Sequence, residues 1–481
     1  MKKSVKVNGF LNIVQKSCHI LIPLLIFPYL TRVLGAENFG KFSFANSIIS
    51  YVILAAMLGV NSYAIREGAR IRDDKKALSS FVSEVFSINI FSGLLAILFL
   101  ICAVSFNSKL GEYDTLIYIM SLIVPATVLG RDYLNVIYED FLYITLRYII
   151  IQIIGVFMVF ILVRESTHYI IYTGIYTFTM TAGYIINLFY TKKYAPIHLT
   201  FKLNLKKHLN PILILFCGQL ATTIYIQSNI TMIGIFKTDY EVGIYSFASK
   251  IYILSKSMIN ALTAVAIPRI VYYLGANNLE KYNSFSSRLF DYLLSLTTPI
   301  SVGLFIFGDE IVRLIGGPEY ITGVSSLKIL SIALLVAVFS GYFCNAILVP
   351  NRQEKQFLYI TILSAILNIA LNFVFIPKIG IFGAALSTLF SEILVVALAF
   401  GVSKKNLRLS IAKKNFILTI FGSALVLIIC LVSKKYVESY LIRLIITTPI
   451  TVIIYALLHL LFKNNLYFGS AHSLINKIMK K

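Results

Sequence analysis

Charge is what this chain has least of: Asp, Glu, Lys and Arg make up 13% of its residues, while hydrophobic residues reach 58%. That balance excludes an ordinary soluble protein. Five cysteines (Cys18, Cys102, Cys217, Cys344, Cys430) stand singly in apolar segments with no CxxC spacing, so they read as small core residues rather than a disulfide set or metal ligands. The six histidines are equally dispersed and form no HxxxH pair, so no catalytic zinc is expected, and no cofactor. Long loops are missing too: none exceeds about twenty residues, which leaves no room for a soluble catalytic or ATPase domain. The chain is not expected to be an enzyme. One stretch, "GAENFGKF" (35–42), fits the spacing of a phosphate-binding loop, but Phe42 stands where Ser or Thr must meet magnesium.

What the chain does have is apolar runs. Fourteen are long enough to span a bilayer, which takes roughly 18–25 residues each, the first at 10–34 and the last at 440–462. The first run follows a basic start, "MKKSVKVNG", yet lacks a small-x-small cleavage site and is expected to be a retained span rather than a signal peptide. A net charge of +22 suits either nucleic acid or a polytopic membrane protein, and its distribution decides. The N-terminal tail, 66–80, 138–147, 191–210, 269–288, 350–356, 402–414 and the C-terminal tail together hold 28 of the 43 Lys and Arg; the opposite set of loops holds 8. This asymmetry predicts an all-α, multi-pass membrane protein with both termini in the cytoplasm and no nucleic-acid partner.

An internal repeat organises the spans. "GKFSFANSI" (40–48) and "GIYSFASKI" (243–251) share Gly, an aromatic, Ser-Phe-Ala and the last Ile, and each opens a span. The offset covers six spans, so both copies point the same way, as in transporters built from parallel repeats. The expected domains are a six-helix bundle at 1–190, a basic linker at 191–210, a second six-helix bundle at 211–402, and a basic loop with two more helices and a tail at 403–481. Convergent use of an aromatic helix start at a membrane interface is the alternative. Where the first copy has Ser47 and Ile53, the second has Lys250 and Lys256.

A lysine at the bilayer centre costs about 2.5–3.5 kcal/mol on insertion scales, so these two need partners. Ser249, Tyr252, Lys256, Asn260 and Thr263 are spaced as one helical face. Lys256 lies too deep for its stem to reach the outer surface and is expected to line a cavity, whereas Lys250 either lines it or snorkels. In the first span Asn12, Lys16 and His19 share a face, and Lys16 either joins the lumen or reaches back to the near surface. Gln219 and Asn229 in the seventh span, and Asn368 and Asn372 in the eleventh, line the cavity or bond between helices. Cations with amides suit a large, anionic, hydroxyl-rich substrate. Deep acids are few: Asp132, Asn135 and Glu139 share a face near one end of the fourth span, and Glu392 lies in the twelfth. They bind a coupling ion, or form ion pairs that fix a gate or helix end.

Several stretches together resemble the polysaccharide-transporter flippases of the multidrug, oligosaccharidyl-lipid and polysaccharide exporter superfamily. They are "PYLTRVLGAENFG" (28–40), "AIREGAR" (64–70), "DYLNVIYEDFLYITLR" (132–147), "YIQSNITMIG" (225–234), "VGIYSFASKI" (242–251), "AIPR" (266–269), "ILVPNRQEK" (347–355) and "LNIALNFVFIPKIGIFGAALSTLFSE" (367–392). They run in family order over about four-fifths of the chain. Departures stand at Tyr133 for the usual tryptophan, Val136-Ile137 for Gln-Gly, and Asn229-Ile230 for Asp-Lys. The resemblance implies a bacterial inner-membrane flippase that moves polyprenyl-diphosphate-linked oligosaccharide of O-antigen or capsular type to the outer leaflet by alternating access. Polysaccharide polymerase and chain-length proteins are implied partners. On that reading Lys256, Lys250, Lys16 and Arg32 meet the diphosphate, while Asn12, Gln219, Asn229, Asn260, Asn368 and Asn372 meet sugars. Asp132, Glu139 and Glu392 are gate or coupling candidates. Rival expectations are a multidrug exporter, a peptidoglycan-precursor flippase, or a membrane-embedded glycan polymerase or ligase.

Overall fold

The computed structural model describes residues 5–201 and 203–462, except for the side chains of 5–10, 12, 13, 16, 19 and 20. Among the described residues the regular structure is helical throughout. In chain order the helical segments of more than eight residues are α1 (Val5–Met57), α2 (Val60–Arg70), α3 (Lys75–Phe106), α4 (Asp114–Ile137, in three short pieces), α5 (Phe141–Leu162), α6 (Tyr169–Tyr190) and α7 (Leu205–Phe236). Then follow α8 (Asp239–Gly275), α9 (Leu279–Ile306), α10 (Pro318–Leu348), α11 (Glu354–Ser403), α12 (Lys413–Tyr436) and α13 (Tyr440–Leu461). Eleven helices among the described residues are long and apolar enough to cross a membrane, against fourteen runs read from the sequence. Two of the longest are broken inside: α1 at Gly35, with φ 72°, and α11 at Ile379–Gly380, two residues after Pro377. Large apolar side chains such as Leu98 and Phe99 of α3 and Ile445 and Val452 of α13 are exposed, a surface suited to lipid rather than water.

The chain divides into two compact units, Met1–Gly243 and Ile244–Lys481. That division falls within the first turns of α8. Each unit repeats local devices of the other. Asp74 caps α3 by accepting from the backbone of Lys76 and Ala77, and Asn278 caps α9 by accepting from Lys281. A turn after α4 puts Glu139 at φ 55°, with Glu139 N–H bonded to Val136 and Asp140 N–H to Asn135. After α10, Arg352 sits at φ 59°, with its N–H on Val349 and that of Gln353 on Leu348.

A third device ties an extended segment to a helix face. Ser79, Ser83 and Ser87, one turn apart on α3, bond the backbone of Pro196, His198 and Thr200 in turn, the last two at 3.2 and 2.9 Å. On α9, Asn283, Ser287 and Asp291 accept the backbone N–H groups of Arg408, Ser410 and Ala412 at 3.0, 3.0 and 3.3 Å. Helical spacing of four matches strand spacing of two, because four helical residues rise ~6 Å and two extended residues ~6.6 Å.

The paired motif glycines explain themselves at a helix crossing. A Cβ on Gly40 would lie 1.8 Å from the carbonyl oxygen of Asp239, and one on Gly243 would lie 1.8 Å from that of Ala36. The contacts are reciprocal: Ala36 and Gly40 of α1 meet Asp239 and Gly243 of the first turns of α8, all within the first unit. Small residues at such a crossing let two backbones touch, the usual way helices associate in lipid.

Candidate functional site

The best-built polar site lies within the second unit, around Glu392. This carboxylate is 2% exposed, on the second half of α11, after the break at Ile379–Gly380. Lys256 Nζ of α8 donates to Oε1 at 2.6 Å and Tyr252 OH, one turn earlier, donates to the same oxygen at 3.1 Å. Ser340 Oγ of α10 donates to Oε2 at 2.6 Å. A buried carboxylate needs this set, because an uncompensated ion in a low-dielectric interior costs several kcal/mol (~3–5 kcal/mol when one partner of a buried pair is removed). Lys256 itself keeps 24% of its side chain accessible, against 2% for Glu392.

The stripe on α8 is therefore an internal seam as well as a candidate lining. Tyr252 and Thr263 are buried, and Asn260 Oδ1 packs against Gly341 of α10. Asn368 and Asn372 of α11 are fully buried and bond each other at 3.0 Å. Lys250, six residues before Lys256, is half-buried and makes no ion pair among the described residues.

In the first unit the expected face Asp132, Asn135, Glu139 does not hold as one cluster. The left-handed turn at Glu139 ends the helix and swings that residue out to Arg72, at 2.8 Å. Asp132 instead accepts from Arg147 of α5 at 2.9 and 3.0 Å and from Asn187 Nδ2 of α6 at 2.7 Å. Asn135 Nδ2 closes the set by donating to Asn187 Oδ1 at 2.7 Å. Asp140 gathers Tyr190 OH, Tyr194 OH and Lys193 Nζ at 2.6, 2.7 and 3.3 Å. These acids hold the α4–α5 turn against α6.

Amides on α7 bond to α1 and α2. Gln219 donates to Ser62 at 3.2 Å, Gln227 to Ser50 at 3.2 Å, and Thr231 to Ser47 at 3.0 Å. Gln219 thus takes the interhelical alternative, and Asn229 is buried further along the same helix. Arg32 is exposed on α1. Asn12 and Lys16 lie outside the described side chains.

Sequence reasoning missed Ser340, which completes the Glu392 site; a lone serine in an apolar run carries no signal. It also missed His208, fully buried, which bridges Tyr63 OH at 2.9 Å and Glu84 at 3.1 Å. No group of three or more His, Cys, Asp or Glu among the described residues has the geometry to hold a metal. Outside the spans, Asp309 meets Lys434 at 3.2 Å and Lys328 at 3.4 Å. Burial works to raise its carboxyl, but the two ammonium groups outweigh it and hold the group below the ordinary carboxylate value.

Residues 5–273 match the family model described as Polysaccharide biosynthesis protein, and residues 211–374 match that described as MatE. An Escherichia coli (strain K12) protein named "Putative O-antigen transporter" is 27% identical over 411 residues, covering 84% of this chain and 98% of that one. The "Capsular polysaccharide biosynthesis protein CapF" of Staphylococcus aureus is 23% identical over 401 residues, covering 79% and 93%. Among solved structures, the inward closed conformation of the lipid II flippase MurJ superposes with a TM-score of 0.74 at 16% identity, over 97% of this chain and 99% of that one.

Proposed function

The chain belongs to the polysaccharide biosynthesis protein family, and from that premise we propose that it is a flippase for polyprenyl-diphosphate-linked oligosaccharide of O-antigen or capsular type. It works in a bacterial inner membrane with both termini in the cytoplasm, and moves its cargo to the outer leaflet by alternating access. The relatives named for O-antigen transport and capsule biosynthesis, matched over most of their length, support the cargo class. The observation that carries the mechanism is the pair of lysines on α8: Lys250 without an ion pair among the described residues, and Lys256 held by one buried acid.

A diphosphate pairs with such cations through charge-assisted hydrogen bonds. Lys250 makes the first contact. Lys256 joins when the diphosphate competes with Glu392 for its ammonium, and Glu392, left with Tyr252 and Ser340, takes up a proton or releases the seam. Substrate binding and helix rearrangement are thereby the same event, which gives Glu392 its gating role. Amides along the path meet sugar hydroxyls, while the prenyl tail stays in lipid. No ATP is required: an inside-negative potential of 100 mV favours outward movement of each negative charge by about 2.3 kcal/mol.

Deleting the gene in its host and measuring both surface polysaccharide and membrane lipid-linked oligosaccharide tests the proposal. Lost surface glycan with intact repeat units accumulating on the lipid is the expected result. Unchanged glycan pools with raised sensitivity to cationic drugs would transfer the chain to drug export.

A further inference from the structure

Where the last turns of α8 meet the first turns of α9, the second unit holds a pocket of about 410 Å³ with three cations in its wall, Arg269, Lys281 and Arg288, and no carboxylate. None of the three makes an ion pair among the described residues. Their positions are fixed by uncharged groups instead. Arg269 Nε donates to Tyr273 OH at 2.9 Å, and its guanidinium lies 5.7 Å from the Tyr273 ring and 5.2 Å from the Phe285 ring. Arg288 Nη2 donates to Ser284 Oγ at 3.0 Å.

The arrangement holds two oriented guanidinium groups and an ammonium around one space, which costs mutual repulsion unless an anion sits there. Asp291, in the adjoining pocket that shares Ser284 and Arg288, does not serve: it is buried and bonded to Ala412 N–H and Asn415. Planar guanidinium forks together with a lysine match the oxygens of a phosphate ester. The same end of α8 exposes Val265, Val271 and Tyr272, and α9 begins with exposed Leu279, so an apolar surface borders the cationic one. Cations beside aromatic and aliphatic surface at a helix end suit a ligand that is charged at its head and apolar in its tail.

We propose that this pocket binds the phosphate-ester headgroup of an anionic membrane amphiphile, at a site separate from the lysines of α8 at 250 and 256. Two sources offer that chemistry, a bulk anionic glycerophospholipid and the polyprenyl diphosphate carrier. The full-length protein, delipidated in detergent, is titrated with phosphatidylglycerol, phosphatidylcholine or undecaprenyl diphosphate, and bound lipid is counted by native mass spectrometry. The triple variant R269Q/K281Q/R288Q is expected to retain at least about tenfold less of an anionic lipid, with phosphatidylcholine unchanged. A loss confined to phosphatidylglycerol assigns the pocket to bulk lipid; a loss confined to undecaprenyl diphosphate assigns it to the carrier. In the Lys250→Gln background, which removes a cation of the proposed path, the three substitutions are expected to cause the same loss, so the result is independent of the transport reading. Because Arg269 packs on two rings, R269K/R288K is measured beside it and is expected to bind between wild type and the triple variant, since it keeps the charge and loses the guanidinium forks. Equal retention of both anionic lipids by wild type and triple variant, or equal loss of phosphatidylcholine, overturns the proposal.

Discussion

Replacing Gly40 or Gly243 by alanine tests the helix crossing that the repeat motif builds. Each new Cβ would start 1.8 Å from a backbone oxygen, where real Cβ contacts stay beyond 3.0 Å, so the two backbones must part by more than an ångström. Neither obstacle is a flexible side chain, so the strain cannot be relieved by a rotamer change. Overpacking of this kind costs about 1–3 kcal/mol and sometimes more. Alanine returns at most ~1 kcal/mol through its better helix propensity. The steric term wins, and separation of the helices also loosens the contact of Tyr113 OH with Asp239 at 2.5 Å. The control is Gly174 on α6, where a Cβ meets nothing within 4 Å and Ala is expected to be neutral or slightly stabilising. Thermal stability is read from the monodisperse size-exclusion peak after heating in detergent, where each kcal/mol shifts a cooperative block of this size by about 2–4 °C. Equal midpoints for Gly40→Ala, Gly243→Ala and Gly174→Ala would refute the argument.

Neutralising one member of the Lys256–Glu392 pair, by Lys256→Gln or Glu392→Gln, is expected to destabilise by up to about 3–5 kcal/mol, while the double variant recovers part of it; heated size exclusion of all three, with strict additivity as the contrary result, checks this. Asp309 has its folded value depressed below the ordinary 3.8, so its contribution is fully present above that pH and is lost as pH falls through the lower folded value. Wild type should therefore lose stability below about pH 4, and Asp309→Asn should lose less over that window; identical acid profiles would remove the ion cluster from the account. Ser287→Ala removes the middle tie of the 404–412 segment, at a cost of about 0.5–1.5 kcal/mol, and should speed proteolytic cleavage there while leaving 191–204 unchanged. Cleavage at both segments, or at neither, would count against the side-chain tie.

Much of the fold was readable because the bilayer forces backbone groups to be satisfied within each helix, so apolar runs translate into helices. Internal breaks were less readable: Gly35 and Gly380 are ordinary residues in an apolar run until a positive φ singles them out. The repeat was legible from Gly40 and Gly243, but the reason for the glycines needed the reciprocal crossing. Lys256 was found as an intramembrane charge and Glu392 as a deep acid, yet their pairing spans 136 positions and no local pattern links them. Lys256→Ala would strand a carboxylate that is 2% exposed, a consequence that only the pairing makes visible. The shared face of Asp132 and Glu139 failed for a local reason, since a helical wheel cannot anticipate a left-handed residue that ends the helix.

Reconstituting the purified chain into liposomes, with polyprenyl-diphosphate-linked oligosaccharide in one leaflet, measures the proposed activity directly. Glycan reaching the other leaflet is scored by cleavage with a glycosidase confined to that side, under an imposed membrane potential. Transfer by wild type that falls at least about tenfold in Lys250→Gln, with the variant still monodisperse, is the result predicted here. Wild-type transfer no faster than protein-free liposomes would contradict the flippase, and full transfer by Lys250→Gln would contradict the cationic path.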